Sequence, residues 1–458
     1  MSSSNMGSPR LEPRKKALTI RKIEFVEIYQ PMNGIEAQHQ AQRCLGCGSP
    51  YCEWKCPLHN PIPNWLKLAG EGRILEAAEL CHHTNSLPEI CGRICPQERL
   101  CEAACVLNET FGSVTIGHLE RYITDTAFEQ GWHPDLSHVK KTDKRVAIIG
   151  AGPAGLSCAD VLARNGVQAT VFDKHPEIGG LLTFGIPSFK LEKSIMQHRR
   201  RIFEEMGIIF KLNTEIGRHI PLETLLNEFD AVFIGTGTHY PVSGNLLNED
   251  AIGVYQALPY LVGNARHLLG YADDPRYPYV SLANKNVIVL GAGDTAMDCV
   301  RSAIRQGAIQ VSCIYRGGSS DMPATPRELL HAQEEGVQFH FHLQPVGINT
   351  NSANQVVGIN FVRTLAGSTG SEEITHSADA VIIAFGFESD DLPWISSHSI
   401  QRDTSGRIVA PRHQHNAYQT SHPKIFAGGD VVHGSDLVVT AIAEGRGAAE
   451  GIMNFLQI

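Results

Sequence analysis

Positive charge is scarce in this sequence. Only 19% of its residues are charged, and the formal net charge is −9. Proteins that wrap nucleic acid neutralise phosphates with Lys and Arg, so this balance argues against that class. No apolar stretch approaches the roughly 18 residues of a membrane span. The N-terminal stretch "MSSSNMGSPRLEPRKK" also lacks the apolar core of a secretory signal. We therefore expect a cytoplasmic protein that binds neither nucleic acid nor membrane.

Cysteine is rare beyond residue 105, where only Cys158, Cys299 and Cys313 occur. Each stands alone in an apolar helix or strand pattern, which favours a buried structural thiol. A flavin disulfide reductase needs a close cysteine pair beside its flavin. The sequence therefore disfavours that class of enzyme.

Nine of the twelve cysteines lie instead between Cys44 and Cys105. Eight of these nine form two runs, "CLGCGSPYCEWKC" and "CGRICPQERLCEAAC", and Cys81 lies between the runs. In each run one cysteine is followed by proline (Cys56 and Cys95). Thiols stay reduced in a cytoplasmic protein, so a disulfide framework is the weakest interpretation. Iron–sulfur clusters and zinc both bind thiolates at such spacings.

The change in cysteine content indicates an N-terminal domain that ends near residue 140, at the polar stretch "SHVKKTDK". Within it, "PIPNWLKLAGEGRILEAAEL" has the apolar spacing of amphipathic helices. From residue 145 strands alternate with helices, which predicts parallel sheets. Two segments repeat one pattern of strand, glycine turn, helix and closing glycine: "RVAIIGAGPAGLSCADVLARNG" (145–166) and "NVIVLGAGDTAMDCVRSAIRQG" (286–307). The predicted fold is α/β, with a helical N-terminal domain followed by two Rossmann-like dinucleotide-binding domains.

The first glycine turn has the G-x-G-x-x-G spacing in its required context of strand and helix. Gly150 allows the sharp turn, Gly152 lets the backbone approach a pyrophosphate, and Gly155 lets the helix pack on the strand. Asp173 follows the next strand and is placed to bind ribose hydroxyls. The alternative is a structural turn with a solvent-facing Asp.

The second glycine turn is G-x-G-x-x-A, formed by Gly291, Gly293 and Ala296. The strand after it ends in Arg316 rather than in an acid. A guanidinium binds a 2′-phosphate, so this turn favours NADP over NAD. A surface arginine without a ligand is the alternative.

Two dinucleotide sites of different character indicate a flavoprotein reductase with FAD on the first turn and a nicotinamide on the second. "AVFIGTGT" and "IFAGGD" predict the strands where the chain leaves and re-enters the FAD domain. The expected domains are residues 1–140 (iron–sulfur), 141–280 and 380–458 (FAD), and 281–379 (NADPH). Iron–sulfur clusters carry single electrons away from a flavin, whereas zinc is redox-inert, so the cysteine runs favour clusters over zinc.

The sequence resembles a known family. "CGSPYCEWKCP", "CGRICPQERLCE", "HPEIGGLLTFGIPSFKLEK", "GDTAMDCVR" and "IFAGGDVVHGSDLVVTAIAEGR" are similar to the small (beta) subunits of bacterial NADPH-dependent glutamate synthase. The resemblance covers nearly the whole chain, and its architecture is shared with the electron-input part of dihydropyrimidine dehydrogenase. It implies FAD, NADPH as substrate and two 4Fe–4S clusters.

The resemblance also implies site residues. One cluster is expected on Cys44, Cys47, Cys52 and Cys105. The other is expected on Cys56, Cys95, Cys101 and Glu120, with Cys91 as the alternative fourth ligand and Cys81 outside both sets. The expected FAD residues are Gly150, Gly152, Pro153, Ala154, Gly155, Asp173, Lys174, Gly180, Leu181, Thr236, Gly429 and Asp430. The expected NADP residues are Gly291, Gly293, Asp294, Thr295, Ala296 and Arg316. Gly317 stands where the family commonly has a second arginine, which leaves the strictness for NADPH open.

The resemblance implies an oxidoreductase of glutamate biosynthesis. NADPH reduces FAD, and electrons pass through the clusters to a large FMN-containing (alpha) subunit that forms L-glutamate from L-glutamine and 2-oxoglutarate. No side chain of this chain is expected to act as a catalytic acid or base. The alternatives are the electron-input subunit of another reductase, such as a pyrimidine reductase, a stand-alone NADPH:acceptor oxidoreductase, or a zinc-stapled interaction module.

Overall fold

The computed structural model describes residues 9–365 and 368–458. Residues 1–8, which begin the stretch lacking a secretory signal, lie outside the described residues. No helix in the described ranges is long and apolar enough to cross a membrane.

The N-terminal domain is helical, as its sequence predicts. Its helices are α1 (Leu18–Arg21), α2 (Gly34–Ala41), α3 (Tyr51–Lys55), α4 (Ile62–Gly70), α5 (Ile74–Thr84), α6 (Pro88–Ile94), α7 (Asn108–Phe111) and α8 (Ile116–Glu129). The apolar faces of α2, α4, α5 and α8 close a core around the fully buried Trp65. Helices α6 and α8 pack closely because Gly92 has no side chain: a Cβ there would lie 2.6 Å from the Arg121 nitrogen.

A strand–helix alternation follows. Its elements are β1 (Arg145–Ile149), α9 (Pro153–Arg164), β2 (Gln168–Phe172), α10 (Leu181–Phe184), α11 (Lys193–Glu205), β3 (Ile209–Lys211), α12 (Leu222–Glu228) and β4 (Ala231–Ile234). The four strands carry apolar residues at successive positions, and β1 and β4 are buried almost throughout. This is the pattern of strands covered on both faces.

The chain then crosses into a second unit. Its elements are β5 (Tyr240–Pro241), β6 (Val254–Gln256), α13 (Ala257–Leu268), β7 (Asn286–Leu290), α14 (Asp294–Arg305), β8 (Gln310–Tyr315), α15 (Pro326–Glu335), β9 (Gln338–Phe341), β10 (Leu343–Thr350), β11 (Val356–Leu365), β12 (Ser368–Ser377) and β13 (Ala380–Ile383). The return to the first unit adds β14 (Phe387–Glu388), α16 (Pro393–Ser397), β15 (Ile425–Ala427), α17 (Asp430–His433) and α18 (Val438–Leu456).

Two five-stranded parallel sheets form the two dinucleotide-binding units. The first has the order β15-β4-β1-β2-β3 and the second β6-β13-β7-β8-β9. The antiparallel β10–β12 sheet packs beside the second. The two crossings between the units pair with each other as β5 and β14. The second unit is therefore inserted in the first, as predicted.

The strand pairing bears on the boundaries that were expected at residues 280 and 380. Strand β13 pairs with β7 and β6 in the second sheet, so the chain leaves the second unit after Ile383. Strand β6 belongs to the same sheet, which moves the entry into this unit from 280 to before Val254. The sequence missed both points because a short apolar strand does not indicate which of two sheets it joins.

An extended N-terminal segment ties the units together. Lys15 and Arg21 both bind Glu334 of the second unit at 2.8 Å. The backbone N–H of Ile28 donates to the carbonyl of Phe189 in the first unit. Residues 15–28 thus contact both units, and Glu27 also pairs with Arg93 of the helical domain at 2.7 Å.

Candidate cofactor and electron-transfer site

The first glycine turn, residues 150–155, is sterically restricted to glycine at two of its positions. Gly150 has φ +105°, and a Cβ there would lie 2.4 Å from the carbonyl oxygen of Gly235. At Gly155 a Cβ would lie 1.9 Å from the carbonyl oxygen of Gly150. At Gly152 no atom lies within 4 Å of such a Cβ. The turn is therefore tightly packed at Gly150 and Gly155. It leaves open space at Gly152, where a pyrophosphate would sit at the start of α9.

The Asp173 carboxylate is hydrogen-bonded to this turn. Its carboxylate accepts hydrogen bonds from the backbone N–H groups of Ala151 and His175, both at 2.7 Å. Burial raises the pKa of Asp173, while these two donors act in the opposite direction. The carboxylate lines the same cleft as the turn, where it is placed to meet ribose hydroxyls.

One cleft of about 1760 Å³, counting the space open to solvent, contains almost all of the expected FAD residues. They are Gly150, Gly152, Pro153, Ala154, Asp173, Lys174, Gly180, Leu181, Thr236, Gly429 and Asp430. The remaining expected residue, Gly155, does not line the cleft and packs against the Gly150 carbonyl. The Thr236 hydroxyl is buried, and no described residue is its hydrogen-bond partner. An orphaned hydroxyl that lines a cleft fits a bound polar ligand.

The C-terminal side of this cleft carries carboxyl groups with raised pKa values. Burial raises the pKa of Asp430 to about 7. Glu444 accepts a 2.6 Å hydrogen bond from the Gly429 N–H, and burial raises its pKa to about 7 as well. The start of α18, at Leu437 and Val438, lines the same wall. The N-terminal end of a long helix thus faces the cleft, which favours negative charge there.

The second glycine turn, residues 291–296, opens toward the same cleft. Gly291 has φ +128°, and a Cβ there would lie 2.3 Å from the carbonyl oxygen of Ala384, whereas the space at Gly293 is open. Asp294 and Thr295 line the cleft together with the first turn. Ala296 is fully buried under the turn. The tertiary structure therefore places both dinucleotide turns on one cavity.

Arg316 follows β8 and is exposed. Gly317 beside it is covered by the Tyr315 ring, and a Cβ at Gly317 would lie 2.7 Å from a carbon of that ring. A second arginine at this position would require the tyrosine to move. Arg316, as an exposed cation after β8, could bind a 2′-phosphate.

The first cysteine set gathers at one cavity. Cys44, Cys47, Cys52 and Cys105 line it together, although Cys105 comes from the second run. Burial raises the pKa of Cys52 to about 12 and also raises that of Cys44. A buried thiol becomes a thiolate when a metal supplies positive charge, so this donor set fits a cluster.

The second cysteine set lines another cavity, with Cys56, Cys91, Cys95 and Cys101 around it and Glu120 on its wall. The Glu120 carboxylate accepts hydrogen bonds from Asn60 at 3.1 Å and from Asn85 at 3.3 Å. Burial raises the pKa of Glu120 to about 8. Glu120 and Cys91 both reach the cavity, so either can supply a fourth ligand.

The four remaining cysteines lie away from both cavities. Cys81 is fully buried on α5 in the helical core, and Cys158, Cys299 and Cys313 are buried beside the two sheets. All twelve thiols are unpaired. No three His, Cys, Asp or Glu side chains in the described residues are arranged to hold a single metal ion.

A thin wall separates the second cysteine cavity from the dinucleotide cleft. Two pairs of neighbouring residues form this wall. Ile94 lines the cleft while Cys95 lines the cysteine cavity, and Val438 lines the cleft while Val439 lines the cysteine cavity. The second set is thus the neighbour of the cleft. The first set lies among exposed apolar side chains, which are Leu45, Tyr51, Trp54, Val106 and Phe111.

Comparison with known proteins agrees with this geometry. Residues 21–132 match the family model described as dihydropyrimidine dehydrogenase domain II, 4Fe-4S cluster. Two overlapping stretches, residues 114–253 and residues 144–445, match the family model described as pyridine nucleotide-disulphide oxidoreductase. The chain is 61% identical to the glutamate synthase [NADPH] small chain of Escherichia coli K12 over 98% of both chains. This chain belongs to the glutamate synthase small-chain family.

Other proteins are similar to this chain to different degrees. The small chain of Halomonas elongata is 57% identical, over 98% of this chain and 97% of that protein. The putative oxidoreductase AegA of Escherichia coli K12 is 54% identical over 98% of this chain, which spans 70% of that protein. Mycobacterium tuberculosis FprA in complex with NADPH shares the fold at 17% identity and a TM-score of 0.57, covering 69% of this chain and 85% of that one.

Sequence reasoning missed several residues of the cleft. Thr214, Trp394 and Leu392 line it, and so does His239, which binds Asp390 at 3.0 Å. They come from loops and short elements that carry no motif of their own. The clustering of His and Asp beside β5 and β14 becomes visible only once the two crossings are paired.

Proposed function

We propose that this chain is the electron-input subunit of glutamate synthase. It oxidises NADPH and delivers electrons to a large FMN-containing subunit that forms L-glutamate from L-glutamine and 2-oxoglutarate. The observation that carries the proposal is the placement of two cysteine sets, one against the dinucleotide cleft and one at the surface. The names of the Escherichia coli and Halomonas elongata relatives agree with it.

The residues of the cleft have distinct roles in this proposal. The first glycine turn and Asp173 hold FAD, and Thr236 donates its otherwise unpaired hydroxyl. The second glycine turn holds NADPH, with Arg316 at the 2′-phosphate. FAD accepts a hydride from NADPH and releases electrons singly, and 4Fe–4S clusters carry them onward.

The proposed cluster ligands are Cys44, Cys47, Cys52 and Cys105 in one set, and Cys56, Cys95, Cys101 and Glu120 in the other. The second set adjoins the cleft, so it receives electrons first. The first set lies within the exposed apolar surface, where a partner can approach it. We assign that surface to the large subunit, because aromatic and aliphatic side chains at 45–55% exposure are unusual around a solvated site. Twelve reduced cysteines also favour a cytoplasmic protein.

We also propose three domains with corrected boundaries. The helical cluster domain ends near residue 140. The FAD domain spans residues 141 to about 253 and resumes after Ile383. The NADPH domain lies between these two parts, since β6, β7, β8, β9 and β13 share one sheet.

A second candidate is the electron-input part of another oxidoreductase. It is favoured by the 54% and 49% identity to the putative oxidoreductases AegA and UacF, of which this chain spans 70%. The two candidates differ only in the acceptor. A cognate large glutamate synthase subunit therefore distinguishes them.

Cofactor content is the first test. Anaerobically purified protein should contain about eight irons and one FAD, from two four-iron sites and one flavin site. Stoichiometric zinc with negligible iron would contradict the cluster assignment.

Delivery to the partner is the second test. The chain alone should reduce ferricyanide with NADPH and form no glutamate, and adding the large subunit should restore glutamate formation. Trp54→Ala should weaken assembly with the large subunit, while Ile309→Ala, at an exposed apolar residue on the NADPH domain, should not. No gain with a cognate large subunit would favour the second candidate, and glutamate formation by the isolated chain would contradict both candidates.

A further inference from the structure

Arg327 belongs to the first turn of α15 in the NADPH domain, but its guanidinium reaches the helical domain. Its Nη1 donates to the Gln97 side chain at 2.8 Å, and its Nη2 donates to the carbonyl oxygen of Cys95 at 3.1 Å. Cys95 lines the second cysteine cavity. A permanent positive charge from another domain is thus fixed on the backbone of a proposed cluster ligand.

A second arginine makes the reverse contact. Arg99, in the loop between Cys95 and Cys101, donates to the carbonyl oxygens of Pro323 at 3.1 Å and Ala324 at 2.8 Å. The two arginines therefore cross the interface in opposite directions. Together they join the loop between these cysteines to the segment just before α15.

That segment is also bonded to the second glycine turn. The Ala324 N–H donates to the carbonyl of Ala292 at 3.0 Å, and the Thr325 N–H donates to the Asp294 carboxylate at 3.1 Å. Thr325 caps α15 by accepting from the N–H of Glu328. The position of Arg327 is consequently set by the same backbone that forms the nucleotide turn.

The guanidinium lies in a site of low solvent access. Its Nε is buried, and no described residue accepts its hydrogen bond. Carboxylates of Glu98, Glu102 and Glu328 face it without a direct ion pair. A charge held away from water acts over a longer distance than an exposed one, because it is poorly screened.

We propose that Arg327 is a positioning residue for the second cluster, which it supplies with a positive charge from the NADPH domain. The inference rests on the proposed cluster at Cys56, Cys95 and Cys101. A four-iron cluster gains one negative charge when it accepts an electron, and nearby charge and hydrogen bonds to the ligands set its reduction potential. Arg327 therefore stabilises the reduced form and makes this cluster a better acceptor of electrons leaving the cleft. Full acceptor strength requires the NADPH domain to be docked on the helical domain.

The test is a redox titration of the full-length, anaerobically purified protein, followed by electron paramagnetic resonance. The signal of the second cluster is identified as the one that Cys101→Ser removes. In Arg327→Gln, its reduction equilibrium should shift about tenfold toward the oxidised form, which is about 59 mV for one electron. The signal of the other cluster should keep its potential.

Two further variants complete the design. Arg363→Gln removes a charge from an exposed position on β11 and should leave both potentials unchanged. Arg327→Lys keeps the charge and should restore the potential to within about threefold in the reduction equilibrium. If Arg327→Gln does not accumulate with iron, Arg327→Lys decides, and a tenfold shift in that variant overturns the proposal.

The remaining outcomes are also decisive. Eight irons in Arg327→Gln with an unmoved potential overturn the role of Arg327 and leave the cluster assignment intact. Wild-type protein without iron overturns the cluster assignment itself. A tenfold shift confined to the second cluster, with rescue by lysine, supports the proposal.

Discussion

Replacing Arg199 by methionine should destabilise the protein by about 4 kcal/mol. Arg199, on α11 beside the first sheet, forms a bidentate pair with Glu89 on α6 of the helical domain, at 2.7 and 2.6 Å. Their side chains are 1% and 0% exposed. Removing one partner of a buried pair costs about 3–5 kcal/mol, because the other charge remains buried without compensation.

His82 adds to this cost. Its Nε2 lies 3.0 Å from the Arg199 Nη2 and its Nδ1 lies 2.8 Å from the carbonyl of Ala78, so the neutral ring accepts from Arg199. Losing that donor costs about 1 kcal/mol. The combined estimate therefore falls in the upper half of the range for a broken pair. Removing both charges, in Arg199→Met with Glu89→Leu, should recover most of the loss.

Equilibrium urea unfolding of the holoprotein, followed by circular dichroism, measures these differences. The matched control is Arg200→Met on the same helix, whose pairs with Glu204 and Glu177 are partly exposed and should together be worth less than about 1 kcal/mol. If Arg199→Met costs no more than Arg200→Met, or if the double variant is as unstable as the single one, the assigned role of this buried pair is wrong.

Three further predictions follow from the same structure. Cys81→Ser should keep the visible absorption and the cluster signals, while Cys101→Ser should lose one cluster; the reverse result would refute the ligand sets. Arg316→Ala should raise the Michaelis constant for NADPH about tenfold and leave that for NADH nearly unchanged. Tenfold corresponds to an exposed charge-assisted hydrogen bond of about 1.5 kcal/mol, the lower end of the usual range. Equal increases for both coenzymes in steady-state kinetics would contradict this prediction. Burial holds the pKa of His82 well below its usual range. As the pH falls, His82 is therefore protonated in the unfolded chain before it is protonated in the folded protein, and the free energy of unfolding should decrease below about pH 6.5. His82→Gln should reduce that fall in urea titrations at pH 5 and 7, and an unchanged slope would exclude His82 as its source.

The local features of the chain were predictable from its sequence. Both glycine turns, the strands before them and the helices after them have the predicted places, because Gly150 and Gly291 need positive φ and buried strands need apolar residues. The helical N-terminal domain and the insertion of one unit in the other also agree with the prediction. These features depend on neighbouring residues or on repeated patterns, which a sequence displays directly.

The arrangement between distant segments was decided only by the tertiary structure. Strand β13 joins the second sheet rather than the first, since apolar strands of four residues fit either one. The residue pattern of the cysteine runs did not show that Cys105 joins the first run, or that Glu120 on α8 reaches the second cavity. It also did not show that Arg327 contacts Cys95 across 232 residues.

What the sequence by itself determined was therefore which chemistry is present: two nucleotide turns, two groups of thiols and no disulfide-exchanging pair. Tertiary packing decided how these parts are connected. It placed both turns on one cleft, put the second cysteine set behind the wall formed by Ile94 and Val439, and brought the first set to the apolar surface. The physical reason is that short-range constraints act through backbone geometry and local spacing. Distances between cofactors depend on how whole domains bury their faces against each other.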